Sequence, residues 1–349
     1  MSKTNNNNQE EIDLNTGASV GANHAAEKTD ATQINRMDTS VNDLSSLVGP
    51  STTNEELVAR LLTLGDDKLI PWEECHLPSK GIYYNWPDGM VRVRAMGQTA
   101  EKVLATQRLA QSGQSIDYLF RECVRFPDGF DPVDLLLGDR VFLLYYIRGI
   151  THGNMYEFAI TCPNTTCNAV TTHSYDLNEL SNTIKWAKSE LGTEPFKVVL
   201  PYMSKAIGRE FWVGIRLLRG YDANDILAKK KAKKRMFAKP GGGVRTNARA
   251  GEGMPLDPRR QQQQTQALDE SVSENMNKII VSVMGVTDVF SIRQIVDKLH
   301  AQDTAAIREW MKDHTPGIDN TVTVECPECG QDFTVELPIT ESFFRPSKQ

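Results

Sequence analysis

No stretch of this 349-residue chain is long and apolar enough to span a bilayer. The longest apolar run, Val141 to Ile147, falls well short of the roughly 18 residues a membrane helix needs. The opening Met1-Ser-Lys-Thr-Asn-Asn-Asn-Asn-Gln-Glu has no apolar core, so no secretory signal is expected there. These absences predict a chain that folds in a cytoplasm and does not insert into membranes. Catalytic signatures are absent too. There is no P-loop, no Gly-x-Gly-x-x-Gly turn, no His-Glu-x-x-His pair and no nucleophile elbow. His24, His76, His152, His173, His300 and His314 show no relay spacing, and His152 and His173 read as packing or surface residues. Trp72, Trp86, Trp186, Trp212 and Trp310 are dispersed, which suits core or interface anchors and not a base-stacking platform. The chain is therefore not expected to be an enzyme. Its net charge of −6 gives the whole no general attraction to polyanions.

Cysteine is scarce, and its placement is informative. Of six cysteines, four lie in two matched knuckles. The first is Tyr156-Glu-Phe-Ala-Ile-Thr-Cys162-Pro-Asn-Thr-Thr-Cys167-Asn168. The second is Thr321-Val-Thr-Val-Glu-Cys326-Pro-Glu-Cys329-Gly330. In each, a β-like run enters a Cys-Pro turn, meets a second Cys and leaves through another β-like run. Proline fixes φ in the turn. The residue after the second Cys is Asn168 or Gly330, the two types that best tolerate a left-handed backbone. Two such turns aim four sulfurs at one point, so Cys162, Cys167, Cys326 and Cys329 are the candidate ligands of one structural zinc per chain. Such a site is closed, which argues against metal catalysis. Against the reading stand the four residues between Cys162 and Cys167 and the 158 residues between the knuckles. The alternatives are hairpins with reduced thiols and no metal, or disulfides. The cysteine pattern suggests a reducing compartment.

The rest of the chain predicts a mixed α+β fold: a core domain carrying a zinc-ribbon-like pair of Cys hairpins, with a small helical insert. Residues 1–52 form a polar arm without aromatics, expected to be disordered. A short amphipathic helix at 53–65 follows, with Leu57, Val58, Leu61 and Leu62 as its stripe, either docked on its own domain or binding a partner. The core domain spans 66–177 plus 319–349. Within it, Glu73-Glu74 reads as loop, Ile82-Tyr83-Tyr84 as the start of a strand, and Asp139 to about Arg148 as a helix apolar nearly all round. The insert, 178–318, should hold a helix near Asn178 to Leu191, β-like runs at Phe196 to Leu200 and Arg209 to Leu218, and three helices. Those three are Ser271 to Met284, Ser291 to Leu299 with a Ser291…Gln294 capping box, and Asp303 to Lys312. Between the β-like runs and these three helices lies a basic low-complexity loop, 229–266. Its residues 229–260 carry 11 Lys/Arg against two acids, whereas residues 1–57 carry nine acids and three bases. Such a loop is either solvated or meets an acidic protein surface, which the acidic arm of a neighbouring copy could supply. The competing reading is a zinc-ribbon nucleic-acid-binding protein using 229–260.

The order Leu77-Pro-Ser-Lys-Gly81, then Asp131-Pro-Val-Asp-Leu-Leu-Leu-Gly-Asp139 through Arg148 and His152-Gly153, then Cys162-Pro and Cys326-Pro-Glu-Cys-Gly, carries a resemblance. It resembles the baseplate hub or hub-assembly proteins of T-even-like contractile-tailed bacteriophages, over roughly 70–180 and 320–349. The resemblance implies a structural or assembly role in the virion's tail baseplate. It also implies partners among other baseplate and tail proteins, to which the acidic arm and basic loop add copies of itself as an option. Host cytoplasm would be the site of assembly, and no catalytic residues are transferred.

Overall fold

The computed structural model describes residues 48–49, 52–64, 69–84, 86, 88–104, 114–237, 275–339 and 341–344, with the side chains of 230–237, 341 and 342 left aside. Most of the N-terminal arm and of the basic loop expected from the sequence lies outside these residues. In chain order the elements begin with α1 (Asn54–Thr63), β1 (Glu73–His76), β2 (Met90–Val93), α2 (Gln98–Leu104), α3 (Gln114–Cys123) and β3 (Val124–Arg125). The central helix α4 (Leu137–His152) leads into β4 (Met155–Thr161) and β5 (Val170–Asp176). Then come β6 (Ile184–Lys185), β7 (Phe196–Val199), α5 (Pro201–Ile207), β8 (Trp212–Ile215) and α6 (Gly220–Phe237). After β9 (Ile280–Val283), α7 (Val289–Val296) and α8 (Ala301–His314), the chain returns through β10 (Gly317–Ile318), β11 (Thr321–Glu325) and β12 (Asp332–Glu336). It closes with α9 (Glu341–Phe344). All the named strand pairs are antiparallel, so the fold is mixed α+β. No described helix is long and apolar enough to cross a membrane.

Two hydrophobic clusters organise these elements. One gathers β1–β2–β3, α3, α4, both cysteine hairpins and α9, through residues such as Leu77, Val93, Phe120, Leu143, Tyr156, Val322 and Phe343. The other lies around β7–β8–β9 and α7–α8, with Phe196, Val213, Ile215, Ile280, Ile292 and Ile307. Leu136, the N-cap residue of α4, belongs to the second cluster, while the body of α4 belongs to the first.

Helix α4 is buried nearly all round, as its apolar run predicts, but it also buries Asp139, Arg140 and Arg148. A buried charge is tolerated only when its hydrogen bonds are supplied. The Asp139 carboxylate accepts from Ser79 N–H (2.9 Å) and from the Tyr84 hydroxyl. Tyr84 in turn accepts from Leu136 N–H (2.7 Å), so it also caps the start of α4. This explains the Leu-Pro-Ser-Lys-Gly stretch: it is a turn whose backbone feeds a buried carboxylate. Arg140 meets Asp117 at 2.6 Å, both side chains nearly sealed, and donates to Pro132 O (2.9 Å). Removing one member of such a pair typically costs about 3–5 kcal/mol. Arg148 donates to Gly153 O (2.7 Å) and Met155 O (3.2 Å), just past the helix C-terminus. Gly138 lets α4 touch the returning chain, since an added Cβ would sit 1.8 Å from Pro316 O.

Several local expectations are corrected. Glu73 and Glu74 are not in a loop but in β1, opposite Val93 and Arg92. Tyr83 and Tyr84 belong to a turn rather than a strand. The helix expected at 178–191 is replaced by 3-10 turns, Leu177–Thr183 and Ser189–Leu191, with β6 between them. Ser181 and Thr183 bond back to Asn178 O and Leu180 O, which competes with helical pairing. Residues 275–279 are helical, but Ile280–Val283 switches to a strand because β8 offers Val213 to Ile215 as partners. The cap of α7 is Asp288, which accepts from Ser291 N–H, so Ser291 lies inside the helix. Gly149 stays helical, and Gly153 at φ 81° ends α4.

Burial pushes the Asp139 carboxyl up to about 6, against the pull of its bonds from Ser79 and Tyr84. In the unfolded chain the group returns to about 3.9. The folded state therefore binds more protons between those values, and stability falls as pH rises from about 4 to about 6, by on the order of 2–3 kcal/mol. Asp139→Asn should flatten that window in a comparison of melting temperature against pH with the parent chain. Arg148→Ala should cost about 1–3 kcal/mol in denaturant unfolding, because two carbonyls lose a charged donor.

Candidate metal centre

The four cysteines of the two knuckles come together in space. Strands β4 and β5 pair from Met155↔Asp176 to Thr161↔Val170, and β11 and β12 from Thr321↔Glu336 to Glu325↔Asp332. Each hairpin delivers a cysteine at its end. Cys162 N–H donates to Ala169 O (2.8 Å), and Cys326 N–H donates to Gln331 O (3.0 Å). The acceptor stands two residues past the second Cys in both, so the turns are equivalent. Asn168 (φ 46°) and Gly330 (φ 66°) occupy the left-handed position in each. The two extra residues of the first knuckle are absorbed by a local Asn turn: Asn164 Oδ1 accepts from Thr166 N–H (3.0 Å) and Thr166 Oγ1 (2.6 Å).

Tertiary contacts close the 158-residue gap between the knuckles. Tyr145 of α4 donates to Leu337 O (2.9 Å) and accepts from Asn320 Nδ2 (3.3 Å). Tyr156 of β4 donates to Pro338 O (2.6 Å). Phe343 of α9 packs edge-on against both tyrosine rings, at 5.2 and 5.0 Å. The second hairpin is therefore held against α4 and the first hairpin from both of its ends.

The sulfurs all lie within 4.8 Å of one another. Two contacts cross between hairpins: Cys162 to Cys329 at 3.7 Å and Cys167 to Cys326 at 3.9 Å. These spacings are far beyond the roughly 2.05 Å of a disulfide, and all four thiols are free. Cys162 and Cys326 are buried, Cys167 is half-buried and Cys329 is exposed, so the cluster meets solvent on one side only. Burial opposes ionisation of Cys326, but donation from Glu328 N–H and Cys329 N–H and from the neighbouring thiols lowers it to about 7. At Cys162 the Asn164 N–H favours the thiolate, yet burial and the three other cysteines push it up to about 12. The set of four sulfurs is compatible with a metal site.

No described histidine joins it. His173 shares a hydrogen bond with Thr171 Oγ1 (2.7 Å) and lies by the Phe158 ring, and His152 is bonded to Phe344 O (2.9 Å). His300 caps α8 and stacks on Tyr202, while His314 stacks on Trp310. His76 bonds Asp88 O, and His24 lies outside the described residues. The sequence reading did not single out Asn164 or Tyr145. The Asn-x-Thr order was a visible signal for the first; only the fold shows the second.

Residues 252–345 match the model of a family described as T4 bacteriophage base plate protein. Through that segment the chain is similar to T4-like phage baseplate proteins. The segment includes β9 to β12, α7, α8 and the second knuckle, and it meets the stretches that carried the sequence resemblance only over 320–345. No curated protein and no solved structure matches the chain.

The left-handed position yields a clean test. A Cβ on Gly330 would meet nothing closer than Glu325 Oε1 at 4.0 Å, so Gly330→Ala is penalised by backbone conformation alone. It should lower stability by about 1–2 kcal/mol in denaturant unfolding. Asn168→Gly, at the equivalent turn, should be tolerated.

Proposed function

We propose that this protein is a structural or assembly component of a contractile phage tail baseplate, at the hub or its periphery. The observation that supports this is the baseplate family match over residues 252–345. In this reading it acts through protein–protein contacts and not as an enzyme. Its place is the tail baseplate of the virion, after assembly in the host cytoplasm, among other baseplate and tail proteins. Residues 66–177 plus 319–349 serve as the core domain and 178–318 as its insert, a division that the two hydrophobic clusters support.

Cys162, Cys167, Cys326 and Cys329 are proposed to bind one structural zinc per chain. Four thiolates about 2.3 Å from a tetrahedral zinc stand about 3.8 Å apart. The cross-hairpin distances of 3.7 and 3.9 Å suit that spacing. Zinc would lock the returning strands β11 and β12 to β4 and β5, a staple between chain segments that are far apart in sequence. Metal binding of this kind is coupled to folding. Metal analysis should therefore find about one zinc per chain. Cys326→Ser should lose the metal and melt well below the parent, and a strong chelator should reproduce that loss in the parent chain. For the tail role the decisive comparison is a null mutant, which should fail to make infectious tails. Normal tails without the protein would sink the baseplate reading.

A further inference from the structure

Among the apolar surfaces that stand open in the described residues, two have complementary chemistry. The first is on α1. Its capping box is complete: Glu56 N–H donates to Thr53 Oγ1 (3.3 Å), and Thr53 N–H donates to the Glu56 carboxylate (3.2 Å). None of its residues is buried, and Val58 and Leu62 are 54% and 81% exposed. With Glu55 they fall on one line of the helix, at i, i+3 and i+7.

The second surface lies at the turn between β9 and α7. Val283 and Val286 exchange both backbone bonds, at 2.9 and 2.8 Å, around Met284 (φ 50°) and Gly285 (φ 85°). A left-handed conformation is rare for a residue as bulky as Met. Here it is fixed by Met284 N–H on Trp212 O (3.0 Å) and by Trp212 N–H on Met284 Sδ (3.3 Å). The turn is thus clamped to the end of β8. It holds out Val286, Val289 and Phe290, which are 53%, 62% and 69% exposed. Exposed Arg293 follows one turn after Phe290.

We propose that α1 of one copy docks on the Val286–Val289–Phe290 knob of a second copy, with Glu55 facing Arg293. An amphipathic helix seated by its apolar line is a common mode of recognition. Glu55 flanks the apolar line on α1, and Arg293 flanks the line on α7, where the neighbouring Asp288 carboxylate is engaged by Ser291 N–H (2.8 Å). Pairing between copies covers both surfaces with one contact. The contact is heterologous, so copies join head to tail and close a ring if the rotation permits. The inference deepens the building-block role proposed above and rests on that reading for its biological setting, but its measurement needs only the isolated chain.

Sedimentation velocity of the full chain across a concentration series should reveal self-association. Leu62→Glu and Phe290→Asp should each weaken it by about tenfold or more. Circular dichroism should be unchanged in both, since both side chains are exposed. Mixed together, the two variants should pair one to one and stop there, because one keeps the knob and the other keeps the helix. Glu55→Arg should weaken association, and adding Arg293→Glu should restore it. A parent chain that stays monomeric, or association indifferent to both apolar substitutions, overturns the proposal. So does a Phe290→Asp chain that associates normally yet fails to enter tails, which assigns the knob to a different tail protein. Normal tails in the null mutant would end the baseplate reading and leave the association result standing.

Discussion

The structure depends on bringing partners to three charges inside one buried helix. Helix α4 offers no solvent-facing side to Asp139, Arg140 or Arg148, so each needs partners from elsewhere. Those partners come from three regions: the turn at Ser79 and Tyr84, the helix bearing Asp117 together with Pro132, and the carbonyls of Gly153 and Met155. Apolar packing would let these regions slide. Directional bonds to buried charges set their register, and Gly138 against Pro316 sets the approach of the returning chain. The two hydrophobic clusters are joined at the same place, since Leu136 starts α4 and sits in the second cluster.

The cysteine hairpins follow from that arrangement. A four-sulfur cluster assembled from two knuckles with 158 residues between them carries a large loop-closure cost in the unfolded chain. Tyr145, Tyr156 and Phe343 bring the second hairpin to the first with contacts that belong to the hydrophobic core. The sulfurs then meet at 3.7 and 3.9 Å without a covalent link. A metal at this point would tie the end of the chain to its middle, and the β7–β8–β9 unit lies in sequence between the two tied ends.

Much of this was legible in the residues, and the misses have physical causes. Asn168 and Gly330 announced left-handed turns because few residue types accept them. The apolar run of α4 announced a buried helix because it leaves no polar face. The stretch 178–191 misled because its Ser181 and Thr183 hydroxyls compete for backbone bonds, a local contest that apolar spacing does not register. Ile280–Val283 misled in the opposite way, since its apolar residues fit either period and β8 decided the outcome. Glu73 and Glu74 read as loop, yet an edge position opposite Arg92 makes a strand tolerable, with Glu74 and Arg92 paired at 3.5 Å.

The sequence by itself determined the turn chemistry of both knuckles, the identity of the four thiols, the buried helix and the likeness to a baseplate family. Each of these rests on residue type and short spacing, which a linear chain displays in full. Only the tertiary structure decided that the four sulfurs share one point, that Ser79 and Tyr84 serve Asp139, and that α1 and the Phe290 turn stay uncovered. Those facts depend on distances between residues that are remote in sequence. Such distances are set by which buried charges and rings find partners when the chain packs, and no local pattern encodes them.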